Sequence, residues 1–152
     1  MNAESMREFL LGLPHVVETE QWGGILFWVG DKAVGGKMFA MVNLEAGELP
    51  ISYTAGQERM AELLELEGIV PAPYLAKAFW VAAERWDVFR KSEWESELRA
   101  AHANKFEGLP AKTKAVLALP AAELKKVVAQ RKRVLAEKEK IKKSKLVDGQ
   151  EG

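Results

Sequence analysis

Three consecutive stretches decide how this chain is read: Ile25-Leu26-Phe27-Trp28-Val29, then Gly30-Asp31-Lys32-Ala33-Val34-Gly35-Gly36, then Met38-Phe39-Ala40-Met41-Val42. The outer two are apolar runs rich in β-branched and aromatic residues, too short for buried helices. The middle one is full of turn formers. Together they predict a β-hairpin. Alternation along the second run places Met38, Ala40, Val42 and Leu44 on one face, with Lys37 and Asn43 on the other. After Gly47, Leu49, Ile51 and Tyr53 alternate along a third strand, which Pro50 delays or confines to a sheet edge. Phe79-Trp80-Val81-Ala82-Ala83 reads as a fourth strand, extending toward Trp86.

Around these strands the apolar period changes to that of helices. Met6, Phe9, Leu10 and Leu13 recur at helical spacing, and Gly12 and Pro14 close a helix over residues 3–12. Thr54 and Gln57 read as a capping box for a short helix carrying Met60, Leu63 and Leu64 and ending near Gly68. Ser92 and Glu95 read as a second box, opening a helix whose face holds Trp94, Leu98, Ala101 and Lys105. Gly108-Leu109-Pro110 ends that helix, and another short one is expected over 111–118. From Pro120 onward Leu124, Val127, Val128, Val134, Leu135 and Ile141 form a narrow apolar seam. Arg131 and Lys138 interrupt the seam, so this helix is expected to dock along its first half only.

The chain has 152 residues, 48% hydrophobic and 29% charged. That is enough for one domain with a real core. No apolar run approaches the roughly 20 residues that a membrane helix needs. There is no cysteine, which removes disulfides, thiolate metal sites and cysteine nucleophiles, and a cytoplasmic location is expected. The domain is expected to be α+β over residues 1–118, with an antiparallel sheet of four or more strands packed with helices. A basic helical extension over 119–147 and a disordered tail over 148–152 would follow.

Trp22-Gly23, Gly36-Lys37-Met38-Phe39-Ala40, Pro71-Ala72-Pro73-Tyr74-Leu75-Ala76-Lys77, Trp80-Val81 and Leu109-Pro110-Ala111-Lys112 occur in the order found in the MmcQ/YjbR family, which the chain resembles over about residues 3 to 118. The resemblance implies a compact α+β domain similar to the CyaY-like arrangement, with a DNA-binding role attached to the family. Two features depart from the family pattern. Ala101-His102 stands where a Ser-Tyr-like pair is usual, and the basic extension lies beyond the point where the pattern stops.

Charge is divided along the chain. Residues 1–120 hold 12 Lys/Arg against 17 Asp/Glu, a net of −5, whereas residues 121–147 hold 10 against 3, a net of +7. The cations include Lys125, Lys126, Arg131, Lys132, Arg133, Lys138 and Lys142. Nucleic acid is a dense line of negative charge, and neutralising its phosphates releases condensed counterions. Lys77, Lys112 and Lys114 are candidates to join the same surface. Aromatics are missing from the segment, so any contact there would be to backbone and not to stacked bases. A solvated helix, or one docked on the acidic body of this or another chain, explains the same charges.

The alternative functional reading is a protein-interaction or small-ligand adaptor with a groove around Pro73, Tyr74, Lys77 and Trp80. Its structural competitor is a stiff crossover in which Tyr74 and Leu75 fill core. Of five tryptophans, core packing accounts for most, and one or two remain for a binding surface. Gly30 to Lys37 does not fit the phosphate-binding loop, which needs a hydroxyl residue after the lysine and a helix to follow. His15 and His102 sit in no metal-ligand spacing, and no Ser/His/acid arrangement is visible. The expectation is therefore a non-enzyme without metal or cofactor. Its partner would be DNA or another polyanion, or a protein, and not a membrane.

Overall fold

The computed structural model describes residues 1–146 in full and carries the backbone of the last helix to Glu151. The expected disordered tail over 148–152 lies outside the fully described residues. Helix α1 (Ala3–Leu11) starts where Asn2 accepts a hydrogen bond from Ser5 N at 2.8 Å while Ser5 Oγ accepts one from Asn2 N at 2.9 Å. Met6 and Leu10 bury its inner face completely.

Six strands follow: β1 (Val16–Gln21), β2 (Gly24–Val29), β3 (Lys37–Asn43), β4 (Ile51–Thr54), β5 (Ile69–Pro71) and β6 (Trp80–Ala83). They form one antiparallel sheet in the order β1-β2-β3-β4-β6-β5. Helix α2 (Gln57–Leu63) separates β4 from β5; α3 (Lys91–Glu107), α4 (Ala111–Leu117) and α5 (Ala121–Glu151) complete the chain. The fold is α+β, as expected.

One sheet face carries Ile25, Phe27, Val29, Ile51, Tyr53, Val81 and Ala83, buried beneath the helix layer with Trp94, Leu98 and Ala101 of α3. Trp94 is the centre of this core. Its ring meets Tyr53, Trp86 and Phe89 edge-on, with centroids 6.3, 5.6 and 4.9 Å away, and its Nε1 donates to Trp86 O at 2.8 Å. Below α3, Tyr53 Oη donates to Glu97 Oε2 at 3.1 Å, and Glu97 also pairs with Arg59 of α2. Burial beside that carboxylate pushes the Tyr53 hydroxyl well above its ordinary range.

Several local expectations are corrected. The register shifts between Phe27 and Trp28, so that Phe27 opposes Ala40 while Trp28 opposes Met38. Phe39 is the extra residue of this bulge. Phe39, Ala40 and Val42 therefore belong to the main core, whereas Met38 joins the opposite face and Leu44 is exposed. Neither capping box forms as expected. Helix α2 starts after Gly56 without a side-chain cap, and it ends at Leu63, well before Gly68. Helix α3 starts two residues early, where Glu93 Oε1 accepts from Arg90 N at 3.0 Å. The fourth strand stops at Ala83, and Trp86–Val88 form a 3-10 turn instead. Strands β1 and β5 are additions that the apolar pattern does not announce.

The glycine-rich stretch serves close packing. A Cβ on Gly36 would collide with Gly30 O, and one on Gly35 would collide with Thr113 Oγ1. Backbone thus meets backbone and the start of α4 where a phosphate loop would leave a cradle.

Candidate functional site

Two surfaces carry the residues singled out by the sequence, and they lie on different elements. The first is α5, a helix of 31 residues. At the usual helical rise that is about 46 Å. Leu124 packs against the main core, and Val127, Val128 and Val134 are half-buried. Beyond them Leu135, Ile141 and Leu146 are exposed. The helix docks by its first part and then projects, as its interrupted seam suggests.

The docked part holds few of its cations. Lys132 Nζ lies 3.1 Å from Asp31 Oδ2, and the other oxygen of Asp31 accepts from Ala33 N at 2.8 Å to cap the 3-10 turn Lys32–Val34. Arg131 and Lys112 share the wall of a hollow of about 320 Å³ between that turn, α4 and α5. Lys125 borders a neighbouring hollow with His15 and Asp31. Lys126, Arg133, Lys138 and Lys142 are exposed.

Successive residues of an α-helix step by about 100°. By that step Arg131, Lys138 and Lys142 continue the stripe through which Leu124 docks, while Lys126 and Arg133 point the opposite way. The cations thus surround the projecting helix and do not define one reading face.

Two other predicted cations are placed elsewhere. Lys114 donates to Glu107 O at 2.9 Å and sits over the Phe106 ring, tying α4 to the end of α3. Lys77 lies in the 3-10 turn Ala76–Ala78, which packs on β6, not on α5. The structure therefore gathers Lys112 with the base of α5 and leaves Lys77 apart.

The second surface is the sheet face away from the helix layer. A hollow of about 530 Å³ opens across it, floored by Leu26, Met38, Met41 and Leu49. Pro73, Tyr74 and Leu75 form one wall, as the alternative reading of the sequence expects for the first two. Tyr74 fills no core: it is fully exposed, with a left-handed φ of 65°. Trp80 is 2% exposed and packs below with Ala72 and Ala82, and Lys77 does not line the hollow.

The remaining residues of this hollow escape a reading of the sequence. Trp22 stands at the far rim, 77% exposed, with a φ of 54°. Glu45, Glu48, Asn43 and Ser52 supply its polar groups. The usable signal is Trp22-Gly23, a two-residue turn in front of an apolar strand, flanked by the pair Gln21 and Gly24. Both turn residues have positive φ, which type I′ hairpin turns require.

His102 proves structural: its Nε2 lies 2.7 Å from Pro14 O, and its ring meets Phe39 edge-on. Among the described residues no cluster of His, Asp and Glu suits a metal ion, and no helix is long and apolar enough to cross a membrane.

Six antiparallel strands under one layer of helices, with an added C-terminal helix, define the class of protein. The YjbR family model matches residues 11–130, and the chain belongs to that family. The match includes the first ten residues of α5 and ends before Lys132 and Val134, the last points at which the helix touches the body. Among solved structures, the crystal structure of Deinococcus radiodurans protein DR2400, with the domain DUF419, superposes with a TM-score of 0.65. The superposition covers 78% of this chain and 89% of that one at 23% identity, a likeness of fold. No curated protein matches.

Proposed function

We propose that this chain binds nucleic acid through the phosphate backbone, with low sequence specificity, and that the projecting part of α5 is the grip. The observation that carries this reading is the free-standing helix itself. Ten cations and two acids, Glu137 and Glu139, lie between Lys125 and Lys145, and the last five cations, Lys138 to Lys145, are on the projecting part. The span from Lys125 to Lys145 rises about 30 Å along a helix, or about one positive charge per 3 Å. Double-stranded DNA presents about one phosphate per 1.7 Å, so the two densities are commensurate. Among the described residues Lys132 is the member of this set that pairs with a carboxylate of the body.

The same charges repel one another along the projecting helix, and Glu137 and Glu139 offset only part of that. Lys138 and Lys142 stand at i and i+4, where like charges cost about 0.2–0.5 kcal/mol, and no tertiary packing offsets that cost. Phosphate contacts would remove the repulsion, so binding and helix formation are coupled. Between Arg131 and Lys145 the helix carries neither aromatic nor amide side chains, so it reads charge and not base edges.

The test is a fluorescence-anisotropy titration of labelled duplex DNA over a range of salt. It compares the full chain with a variant carrying Lys138→Gln, Lys140→Gln, Lys142→Gln, Lys143→Gln and Lys145→Gln. Each lost phosphate contact should flatten the slope of log K against log salt by about 0.9. Helical circular dichroism should rise when DNA is added to the unaltered chain. Unchanged affinity and slope in the variant would reject α5 as the grip, and no binding at low salt would reject the function.

A further inference from the structure

We propose that the hollow on the open sheet face binds a small amphipathic organic cation, an amine or guanidinium carried on an apolar or aromatic body. This site is independent of α5 and of nucleic-acid binding. Its volume is about 530 Å³. Small-molecule sites run from roughly 300 Å³ to roughly three times that, so the hollow is of the right size. A floor of two leucines and two methionines gives an apolar bed, and the methionines can adjust to shape.

The polar groups decide the sign of the ligand. Glu45 and Glu48 bring two carboxylates to the rim, and no Lys, Arg or His lines the hollow. Among the described residues neither carboxylate lies within ion-pair distance of a cation. Glu20 adds a third acid in the adjoining depression that shares Trp22. Ser52, only 6% exposed, reaches the hollow. The Asn43 amide nitrogen donates to Leu49 O at 2.6 Å, which fixes the β3–β4 loop that carries both glutamates.

The two aromatic rims strengthen the assignment. Trp22 and Tyr74 are exposed, and both hold left-handed backbone, which bulky residues seldom adopt. Such strain persists where the surrounding structure enforces it, and it concentrates at ligand clamps. Neither ring is placed by its own burial. An aromatic face beside a carboxylate attracts a positive group by its quadrupole and by charge together, while an anion gains from neither. Charge complementarity therefore selects a cation, and the enclosed volume selects a small one.

Two aromatic probes of similar size and opposite charge, 2-phenylethylamine and 3-phenylpropanoate, are titrated into the full-length protein and followed by NMR. The amine should shift the Trp22 indole N–H and the Met38 and Met41 methyls saturably in the millimolar range, and the carboxylate should not. The double variant E45Q/E48Q should weaken the amine about three- to tenfold while leaving the other core resonances in place. Equal responses to the two probes, or an amine response untouched by E45Q/E48Q, would overturn the assignment. So would binding of tetralysine without binding of the amine, which would mark a peptide site. Shifts that grow with protein concentration before any probe is added would do the same, since they would place a second copy of the chain in the hollow.

Discussion

The two faces of the sheet are made from the same strands and have opposite fates. On the covered face Phe27, Tyr53 and Val81 join one buried cluster with Trp94, Leu98 and Ala101 of α3. On the open face Leu26 and Ser52 alternate with Phe27 and Tyr53 along the same backbones, and Met41 alternates with Ala40 and Val42, yet all three border a hollow. Alternation alone assigns two faces, but it does not say which one receives the helices. The helices choose. Trp94, Leu98 and Ala101 recur along α3 and bury one side only. The covered face therefore holds the stability, and the open face keeps apolar surface available for a ligand.

The largest effect that would break this contrast is at the core. Trp94→Ala removes the ring against which Tyr53, Trp86 and Phe89 pack. It should cost about 3–5 kcal/mol. Met41→Ala, at the floor of the open hollow, should cost about 1 kcal/mol or less. Urea unfolding of both variants measures the difference, and similar costs would show that the open face is as structural as the covered one.

A smaller effect is expected where the covered layer carries polar groups. Tyr53→Phe removes the hydroxyl that donates to Glu97, but Arg59 remains on that carboxylate, so no charge is stranded. The loss should be about 1 kcal/mol, the usual net value of one hydrogen bond. A loss above about 3 kcal/mol, beyond what one hydrogen bond supplies, would mean that Glu97 depends on the tyrosine and not on Arg59.

At the sheet edge the effect shrinks again and becomes dependent on pH. Arg7 of α1 holds Glu18 of β1 in a two-point pair, with Nε 2.8 Å from Oε2 and Nη2 2.5 Å from Oε1. The guanidinium hydrogen bonds keep the Glu18 carboxyl below its ordinary range. A depressed carboxylate contributes stability that is present above its unfolded pKa, near 4.5, and is lost as pH falls through the folded value. Arg7 is exposed and Glu18 partly so, so solvent screening keeps the contribution small. Glu18→Gln should thus lower stability slightly at neutral pH and not at strongly acid pH. An equal loss at both would assign Glu18 a role in packing instead.

What the sequence shows and what it hides follow the same division. The hairpin, the third and fourth strands, α1 and the docked half of α5 announce themselves by their apolar residues, while α4, which buries Thr113 and Leu117, follows from the Gly108-Leu109-Pro110 break before it. Strand β1 does not. Glu18, Thr19, Glu20 and Gln21 form a polar edge that owes its pairing to β2. The bulge at Phe39 is equally silent, since one extra residue leaves the composition unchanged while it reverses which face Met38 serves. The hollow gathers residues from the β1–β2 turn, three strands and two loops, so no short motif spells it out. The basic helix is legible because charge counts need no geometry. Its separation from Lys77 is not, because the path of the chain over β6 decides that.

The last expected effect has the opposite sign, and it tests the open face most directly. Trp22 is a large residue at a hairpin turn with a φ of 54°. That conformation costs a non-glycine residue about 1–2 kcal/mol. Its ring, 77% exposed, recovers little of that by burial. Trp22→Gly removes the strain while giving the unfolded chain more freedom, and the two changes nearly offset. The variant should therefore be as stable as the unaltered chain or up to about 1 kcal/mol more stable, as read by the urea midpoint at unchanged slope. A residue kept at a cost to stability is one whose side chain serves something other than folding. A clear loss of stability in Trp22→Gly would instead make the indole a support of the turn, and the exposed rim of the hollow would need no ligand to account for it.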